Sequence, residues 1–202
     1  MRGPSYVDGF SYHRRSHQII ATFSGFEADL LRTLAAQMVE LLHNESAIPS
    51  EATDPLEAMF DFSGPTAEPD DPILVRLFPT AYPDDEEAAG EFRRFTEGSL
   101  RDAKSTAASS IIDALEEAGL PPILGEDGLV IDVELDRDRA ETWMRSFTDI
   151  RLALGTSLGV EEGDEEYWAS VPEESPEAYV YGIYQWLGYL QETLVDALWS
   201  AA

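Results

Sequence analysis

The stretch RLFPTAYPDDEEAAGEFRRFTEGSLRDAK, residues 76–104, mixes charges of both signs and leads into the longest apparent helix of the chain. It holds four of the twelve arginines and the only lysine. Asp84 and Asp85 precede a first turn rich in carboxylates, which the helix dipole favours at a helix N-terminus. The pattern therefore predicts a helix over 86–118, which Gly119 and the two prolines after it bring to an end.

Helical spacing places Glu97 among several guanidinium groups. Glu97 lies four residues after Arg93, three after Arg94 and four before Arg101. Side chains three or four residues apart are neighbours on a helix, so Glu97 is within reach of all three. The neighbouring face of the same helix is traced by apolar residues, namely Phe92, Phe95, Leu100, Ala103, Ala107 and Ile111.

Two interpretations of this charged segment stay open. In the first, its bases line a strip or pocket that binds a partner or a small anionic ligand such as a nucleotide. In the second, they form ion pairs with carboxylates of the same helix and of neighbouring segments. Carboxylates outnumber bases in the segment, which favours the structural interpretation. The candidate site residues are Arg76, Arg93, Arg94, Glu97, Arg101 and Lys104.

Upstream, residues 9–23 predict a β-hairpin, with strands over Phe10–His13 and Gln18–Phe23 joined by a polar turn. Ser24 and Glu27 then have the spacing of a capping box. Apolar residues at helical spacing follow and predict a helix over 25–44.

Downstream, a run of apolar residues bounded by glycine predicts a third strand over 129–133. Apolar stripes predict two further long helices, over 136–158 and 177–199. The sequence thus predicts one domain, residues 1–202, of the mainly α (α+β) class. Its architecture is a bundle of about four long helices with short ones added, a small N-terminal β-hairpin and one further strand.

Two acidic segments interrupt these elements. Residues 45–71 hold several prolines and predict a loop with a short helix over 55–60, where Asp54 precedes Pro55 in a capping arrangement. Asp71 and Pro72 repeat that arrangement before ILVRLF. Residues 161–176 are rich in carboxylates without a base, which predicts an exposed acidic loop.

The overall charge constrains the partners of the protein. Forty acidic and thirteen basic residues give a formal charge of −27 at pH 7. The first 44 residues are neutral, with four bases and four acids, so the negative charge lies downstream. Nucleic-acid binding relies on Lys and Arg that displace counterions from phosphates, so this balance disfavours a nucleic-acid partner and favours a protein partner.

No catalytic or metal-binding motif is found. The sequence has no cysteine, which rules out disulfides and thiolate metal sites within it. His13 and His17 are four residues apart but flank the predicted turn, and His43 falls at the end of a helix. Neither a phosphate-binding loop nor a nucleophile motif occurs. We therefore predict no catalytic residues, metal site or cofactor, and a protein that is not an enzyme.

The sequence shows no targeting signal that would indicate a location other than the cytoplasm. The N-terminal residues contain no apolar run typical of a signal peptide, and no apolar stretch of 18 residues occurs. A cytoplasmic protein without membrane segments is the expectation.

Several blocks, taken in order, resemble one known family. They are EADLLRTLAAQMVELL, DPLEAMF, DPILVRLFPTAYPDDEEAAGEFRRFTEGSLRDAK, RAETWMRSFTDIRLALGTSLGV and YQWLGYLQETLVDAL. The chain is similar over most of its length to an actinobacterial family whose domain has no known function. Its genes often lie beside the gene of the Clp-protease adaptor for N-degron substrates, and some members are labelled transcriptional regulators. The resemblance supplies no functional residues.

The function predicted from these observations is a non-enzymatic cytoplasmic protein of regulatory character that binds another protein. The resemblance suggests a component of Clp-type regulated proteolysis as that partner. One alternative is a transcriptional regulator that contacts DNA through Arg14–Arg15 or the bases of the long helix. The other is a binder of a small anionic ligand.

Overall fold

A computed structural model describes residues 9–44, 65–125 and 128–201 of the chain. These contain a three-stranded sheet and six helices. The strands are β1 (Ser11–His13), β2 (Gln18–Ser24) and β3 (Val130–Leu135), and the helices are α1 (Gly25–Asn44), α2 (Pro72–Leu77), α3 (Glu86–Glu117), α4 (Arg137–Leu158), α5 (Glu165–Ser170) and α6 (Pro176–Ser200).

The sheet is antiparallel in the order β1-β2-β3. β2 is central, and its register with β3 runs from Ile19 opposite Leu135 to Ser24 opposite Val130. Alternate residues of β2 and β3 are buried, so one face of the sheet packs against the helices. On the other face, Thr22 donates a hydrogen bond of 2.7 Å to Asp132.

Aromatic side chains join the sheet to α4. Phe10 lies edge-on to Trp143 with ring centroids 5.9 Å apart, and edge-on to Phe23 of β2 at the same distance. Trp143 and Phe147 are fully buried. Such edge-to-face contacts are favourable beyond the apolar area that they bury. Phe10 and Phe23 thus connect the N-terminal hairpin to the central helix of the bundle.

The long helices pack in pairs. α1 packs along α3, and α4 packs along α6, while α2 and α3 also lie against α4. α6 additionally contacts β1, and the amide of Phe10, just before that strand, donates to the Thr193 hydroxyl at 3.1 Å. Gly9 lies so close to Thr193 that an added Cβ would be 2.3 Å from its hydroxyl oxygen. A side chain at residue 9 would therefore push the hairpin away from α6.

Side-chain caps fix the ends of several helices. The Ser24 and Glu27 capping box forms, with the amide of Ser24 donating to the Glu27 carboxylate at 2.8 Å. Asp71 accepts from the amide of Ile73 at the start of α2. α3 and α4 are capped in the same way by Asp85 and Asp136.

The predicted fold class is confirmed, since the described chain is mainly helical with a hairpin and one further strand. The four long helices begin and end within one residue of the predicted bounds. β3 extends beyond the predicted 129–133 to Leu135, because Asp132 and Glu134 alternate with buried residues and lie on the solvent face. Phe10 falls outside β1 because its amide bonds to α6.

The prediction of a loop over the whole of 161–176 was wrong, because α5 forms within it. Trp168 is buried, and its ring stacks on Tyr181 of α6 with centroids 4.3 Å apart. The indole nitrogen of Trp168 also donates to Asp164 at 2.8 Å. A single aromatic anchor thus organises a segment whose carboxylates suggested an exposed loop.

The predicted helix over 55–60 lies outside the described residues, as does most of the predicted loop over 45–71. Within the described ranges, no helix is both long enough and apolar enough to cross a membrane.

Candidate functional site

Glu97 lies at the centre of a buried ion-pair network on α3. Its side chain is only 2% exposed. One carboxylate oxygen accepts from Arg93 at 2.8 Å, and the other accepts two hydrogen bonds from Arg101, at 2.9 and 2.7 Å. Each of these hydrogen bonds joins oppositely charged groups, which makes it stronger than a neutral one. Glu97 therefore holds both guanidinium groups against the interior of the bundle.

The two arginines also bind the ends of other helices. Arg93 donates to the carbonyl of Phe78, which caps the C-terminus of α2, at 3.3 Å. Arg101 donates to the carbonyl of Leu42 in the last turn of α1 at 3.2 Å. Carbonyls in the last turn of a helix lack a partner within the helix and carry partial negative charge. The network thus joins α3 to the ends of α1 and α2.

Lys104 extends the network to α4. Its ammonium group lies 2.6 Å from the carboxylate of Asp149, which is buried on α4. The Phe78 ring lies beneath both cations, with its centroid 4.8 Å from the Arg101 guanidinium carbon and 5.8 Å from the Lys104 nitrogen. Aromatic faces attract cations at such distances. Arg93, Glu97, Arg101 and Lys104 are therefore brought together, and they connect four helices.

The structure places the remaining two candidates outside this network. Arg76 is exposed in the last turn of α2 and forms no ion pair with any described residue. Arg94 is exposed on α3, where its guanidinium lies 5.0 Å from the ring centroid of Phe95. The predicted reach of Glu97 to three guanidinium groups thus holds for two of them. Arg94 projects to the solvent side, because Glu97 faces the interior.

The first half of α3 exposes apolar residues and buries charged ones. Phe92, Phe95 and Leu100 are exposed, whereas the charged side chains beside them are buried. Only the second half of α3 buries an ordinary apolar stripe, which includes Ile111 and Leu115. The ends of α1 and α2 explain the difference, because they present backbone carbonyls to α3, and Arg93 and Arg101 donate to two of them.

This geometry favours a structural role for the network. Arg93 and Arg101 both donate to the carboxylate of Glu97, which is almost completely buried, so the fold already compensates their charge. A shallow groove of about 180 Å³ borders the network, and its lining includes Phe78, Phe92 and Leu100. Its walls are mainly apolar, and Arg93, which also lines it, is paired with Glu97. Binding of a small anion by these residues stays a prediction.

The three histidines each contact a hydroxyl group. His17 lies 2.8 Å from the phenol of Tyr12, His13 lies 3.3 Å from Ser16, and His43 lies 3.3 Å from Ser105 of α3. Across the described ranges, no group of three or more His, Asp and Glu side chains is arranged to hold a metal ion.

One surface feature was missed by sequence reasoning. A groove of about 560 Å³ lies between the start of α4 and the end of α6. Trp199 forms part of it and is 79% exposed. The signal was present in the sequence, since Trp199 follows the last apolar residue of the α6 stripe, Leu198, and lies beside the stripe. An aromatic residue next to an already complete apolar stripe suggests a surface role.

Comparison with known proteins relates this architecture to one family. The family described as a domain of unknown function, DUF2017, matches residues 7–198. The oxidative stress regulator AosR of Mycobacterium tuberculosis (strain ATCC 25618 / H37Rv) is 33% identical over 186 residues, which cover 85% of this chain and 78% of that relative. The putative oxidative stress regulator AosR of Mycobacterium leprae is 32% identical with the same coverage. No solved structure matches the chain.

Proposed function

Because the chain belongs to the DUF2017 family, whose matched relatives are named oxidative stress regulators, we propose that it is a regulatory protein of the oxidative stress response. It acts in the cytoplasm by binding another protein, without catalysis. The similarity to those relatives spans 85% of the chain, so the proposal concerns the whole bundle and not one segment.

The observation that carries the protein-binding part of the proposal is the placement of the bases of α3. Arg93 and Arg101 are buried on Glu97, and Lys104 pairs with Asp149. These three bases were among the best placed to contact a phosphate backbone, but in the fold they form ion pairs with carboxylates of the protein itself. The remaining surface belongs to a chain of charge −27, which repels nucleic acid and leaves protein as the favoured partner.

The composition restricts how such a regulator could respond to oxidants. Thiol oxidation is the usual protein chemistry of redox sensing, and the sequence contains no cysteine. A thiol–disulfide switch within these residues is therefore excluded. We propose that the redox signal reaches this protein through its partner. The resemblance to a family encoded beside a Clp adaptor suggests regulated proteolysis as one pathway for such a partner.

A genetic experiment tests the regulatory role. A strain that lacks the gene is challenged with hydrogen peroxide, and its transcripts are compared with those of the parent and of a strain complemented with the wild-type gene. We expect the peroxide-induced changes to be altered in the deletion strain and restored by complementation. An identical response in the parent and the deletion strain would refute the proposal.

A biochemical experiment tests the protein-binding mode. The tagged chain is crosslinked in cells with and without peroxide, and the captured proteins are identified by mass spectrometry. We expect a partner that is reproducible and absent from an unrelated control protein of equal acidity. Capture of a Clp component or its adaptor would support the proteolytic pathway. Capture of other partners without any Clp component or adaptor would refute the connection to Clp-type proteolysis.

A second candidate function, direct contact with DNA, is favoured by one observation. The β1–β2 turn exposes Arg14 and Arg15, and no carboxylate occurs between His13 and His17. Electrophoretic retardation of promoter fragments at low salt tests this function. Retardation that weakens steeply with salt and is lost in an Arg14→Glu/Arg15→Glu variant would favour DNA contact over protein binding.

A further inference from the structure

The groove between α4 and α6 combines an apolar wall with an exposed tryptophan. Met144 of α4 and Val195, Leu198 and Trp199 of α6 line it. Its volume of about 560 Å³ is enough for one or two large side chains of a partner. Trp199 has the most exposed aromatic ring in the described part of the chain, at 79%. An exposed tryptophan beside such a wall offers a large apolar surface for contact.

Arg137, Arg145 and Glu141 supply the polar side of the same groove. The Nε atom of Arg137 donates to the Glu141 carboxylate at 3.0 Å, and the Nε atom of Arg145 donates to the Glu141 carbonyl at 3.2 Å. A guanidinium group has five N–H donors. The terminal nitrogens of both arginines make no hydrogen bond within the described ranges, and the Arg137 side chain is 52% exposed. Both groups can therefore donate to an incoming ligand.

The residue types at this groove are those of a protein-binding site. Trp, Arg and Met are enriched at the centres of protein interfaces, and Trp and Arg dominate the residues whose truncation weakens binding most. Guanidinium groups also bind carboxylates through two parallel hydrogen bonds, which a point charge cannot do. The groove thus has both an apolar anchor point and a means of recognising a carboxylate.

We propose that this groove binds a segment of a partner protein in which one or two carboxylates flank a large apolar side chain. The apolar side chain lies against Trp199 and Met144, and the carboxylates pair with Arg137 and Arg145. A partner that is acidic throughout would be repelled by the charge of −27, as would a second copy of this chain. We therefore expect the carboxylates of the partner to lie in the segment that contacts Arg137 and Arg145, and the rest of the partner not to be acidic.

This inference rests on the proposed function, because it names the surface through which the regulator would bind its partner. The probe for its test is a phage-displayed library of random twelve-residue peptides, selected on the immobilised full chain. We expect the enriched peptides to carry Asp or Glu within a few residues of a large apolar side chain. The failure of any peptide to enrich, or enrichment of basic peptides, would overturn the inference.

Variants locate the binding surface. A synthesised peptide from the selection should bind Trp199→Ala and Arg145→Glu at least about tenfold more weakly than wild type, a loss of about 1.4 kcal/mol. Arg139→Glu is the matched control, since Arg139 lies on the same helix, pairs with Glu117 and does not line the groove. It should bind within about twofold of wild type, because exposed charges away from a contact contribute little. Equal affinity of the Trp199 and Arg145 variants and wild type would refute the assignment.

Two further measurements separate this inference from the proposed function. Sedimentation of wild type and Trp199→Ala tests for a second copy: a dimer that the substitution dissociates would overturn the proposed occupant. In the peroxide experiment, full complementation by Trp199→Ala would refute the groove as the binding surface but would not contradict the regulatory role. A deletion strain with a normal peroxide response would instead refute the regulatory role. The peptide affinities would then still show whether the groove is a binding site.

Discussion

The pattern Arg-x3-Glu-x3-Arg occurs on two neighbouring helices, and the fold uses the two copies differently. On α3 it comprises Arg93, Glu97 and Arg101, and on α4 it comprises Arg137, Glu141 and Arg145. Glu97 is 2% exposed and binds both of its arginines through its carboxylate. Glu141 is 39% exposed and binds only the first of its arginines in this way.

The difference teaches that spacing predicts which groups can meet but not where they lie. In both copies the first arginine pairs with the glutamate, as i,i+4 spacing predicts. The ends of α1 and α2 cover the copy on α3 and supply carbonyls to its arginines. The copy on α4 meets solvent and the groove instead. One pattern therefore serves as an internal joint and, by our proposal, as a binding surface.

The largest expected effect comes from removing the charge of Glu97. In Glu97→Gln, two guanidinium groups stay buried without a carboxylate, and the free energy of unfolding should fall by about 3–5 kcal/mol. Glu141→Gln is the matched control on the exposed copy and should change it by less than about 0.5 kcal/mol. Urea unfolding, with equal slopes for the three proteins, measures both values. A loss of less than 1 kcal/mol in Glu97→Gln would show that the buried network does not stabilise the fold.

The second effect tests the link from α3 to α4. Lys104→Met keeps the length of the side chain but leaves the buried carboxylate of Asp149 without its cation. An unsatisfied buried group costs about 1–3 kcal/mol, so unfolding should become easier by that amount. The variant Lys104→Met/Asp149→Leu removes both charged groups and should recover most of the loss. If the double variant is as unstable as the single one, the loss comes from packing and not from the ion pair.

The third prediction tests whether the buried triad adds to the free energy of unfolding or only determines how the helices are arranged. Replacement of the whole buried triad, in Arg93→Met/Glu97→Leu/Arg101→Met, removes the cost of desolvating three charged groups. Such replacements are often neutral or stabilising, so we expect a change within about 1 kcal/mol, far smaller than that of Glu97→Gln alone. A loss as large as that of the single variant would mean that the carbonyls of Leu42 and Phe78 depend on the arginines for their hydrogen bonds.

Much of the fold could be predicted from the sequence, because its local signals agree with one another. The capping box at Ser24 and Glu27 marks the start of α1, and the aspartate caps mark α2, α3 and α4. These signals act within a few residues of each other, which is the range over which sequence patterns are informative. The pairing of Glu97 with Arg93 and Arg101 belongs to the same class.

What could not be predicted depends on contacts between distant segments. The burial of Glu97 depends on the end of α1, whose Leu42 carbonyl is 59 residues away from Arg101 in the chain. The formation of α5 depends on the stacking of Trp168 on Tyr181. The α4–α6 groove forms because Met144 of α4 and Trp199 of α6 line the same space. The position of Trp199 beside its stripe suggests exposure but does not indicate which helix lies next to it. Periodicity describes one helix at a time, whereas a site is formed between helices.

The smallest effect concerns the exposed copy and its response to salt. An exposed i,i+4 ion pair stabilises a helix by about 0.3–0.5 kcal/mol at low ionic strength. Arg137→Gln should therefore lower the free energy of unfolding by about that amount in low salt. In 1 M NaCl the Debye length falls to about 3 Å, and the difference from wild type should vanish. The loss in Glu97→Gln should persist in the same salt, because ions do not penetrate the buried network around Glu97. If both losses faded equally with salt, the two copies of the pattern would share one solvated environment, and the contrast between an internal joint and an open surface would fail.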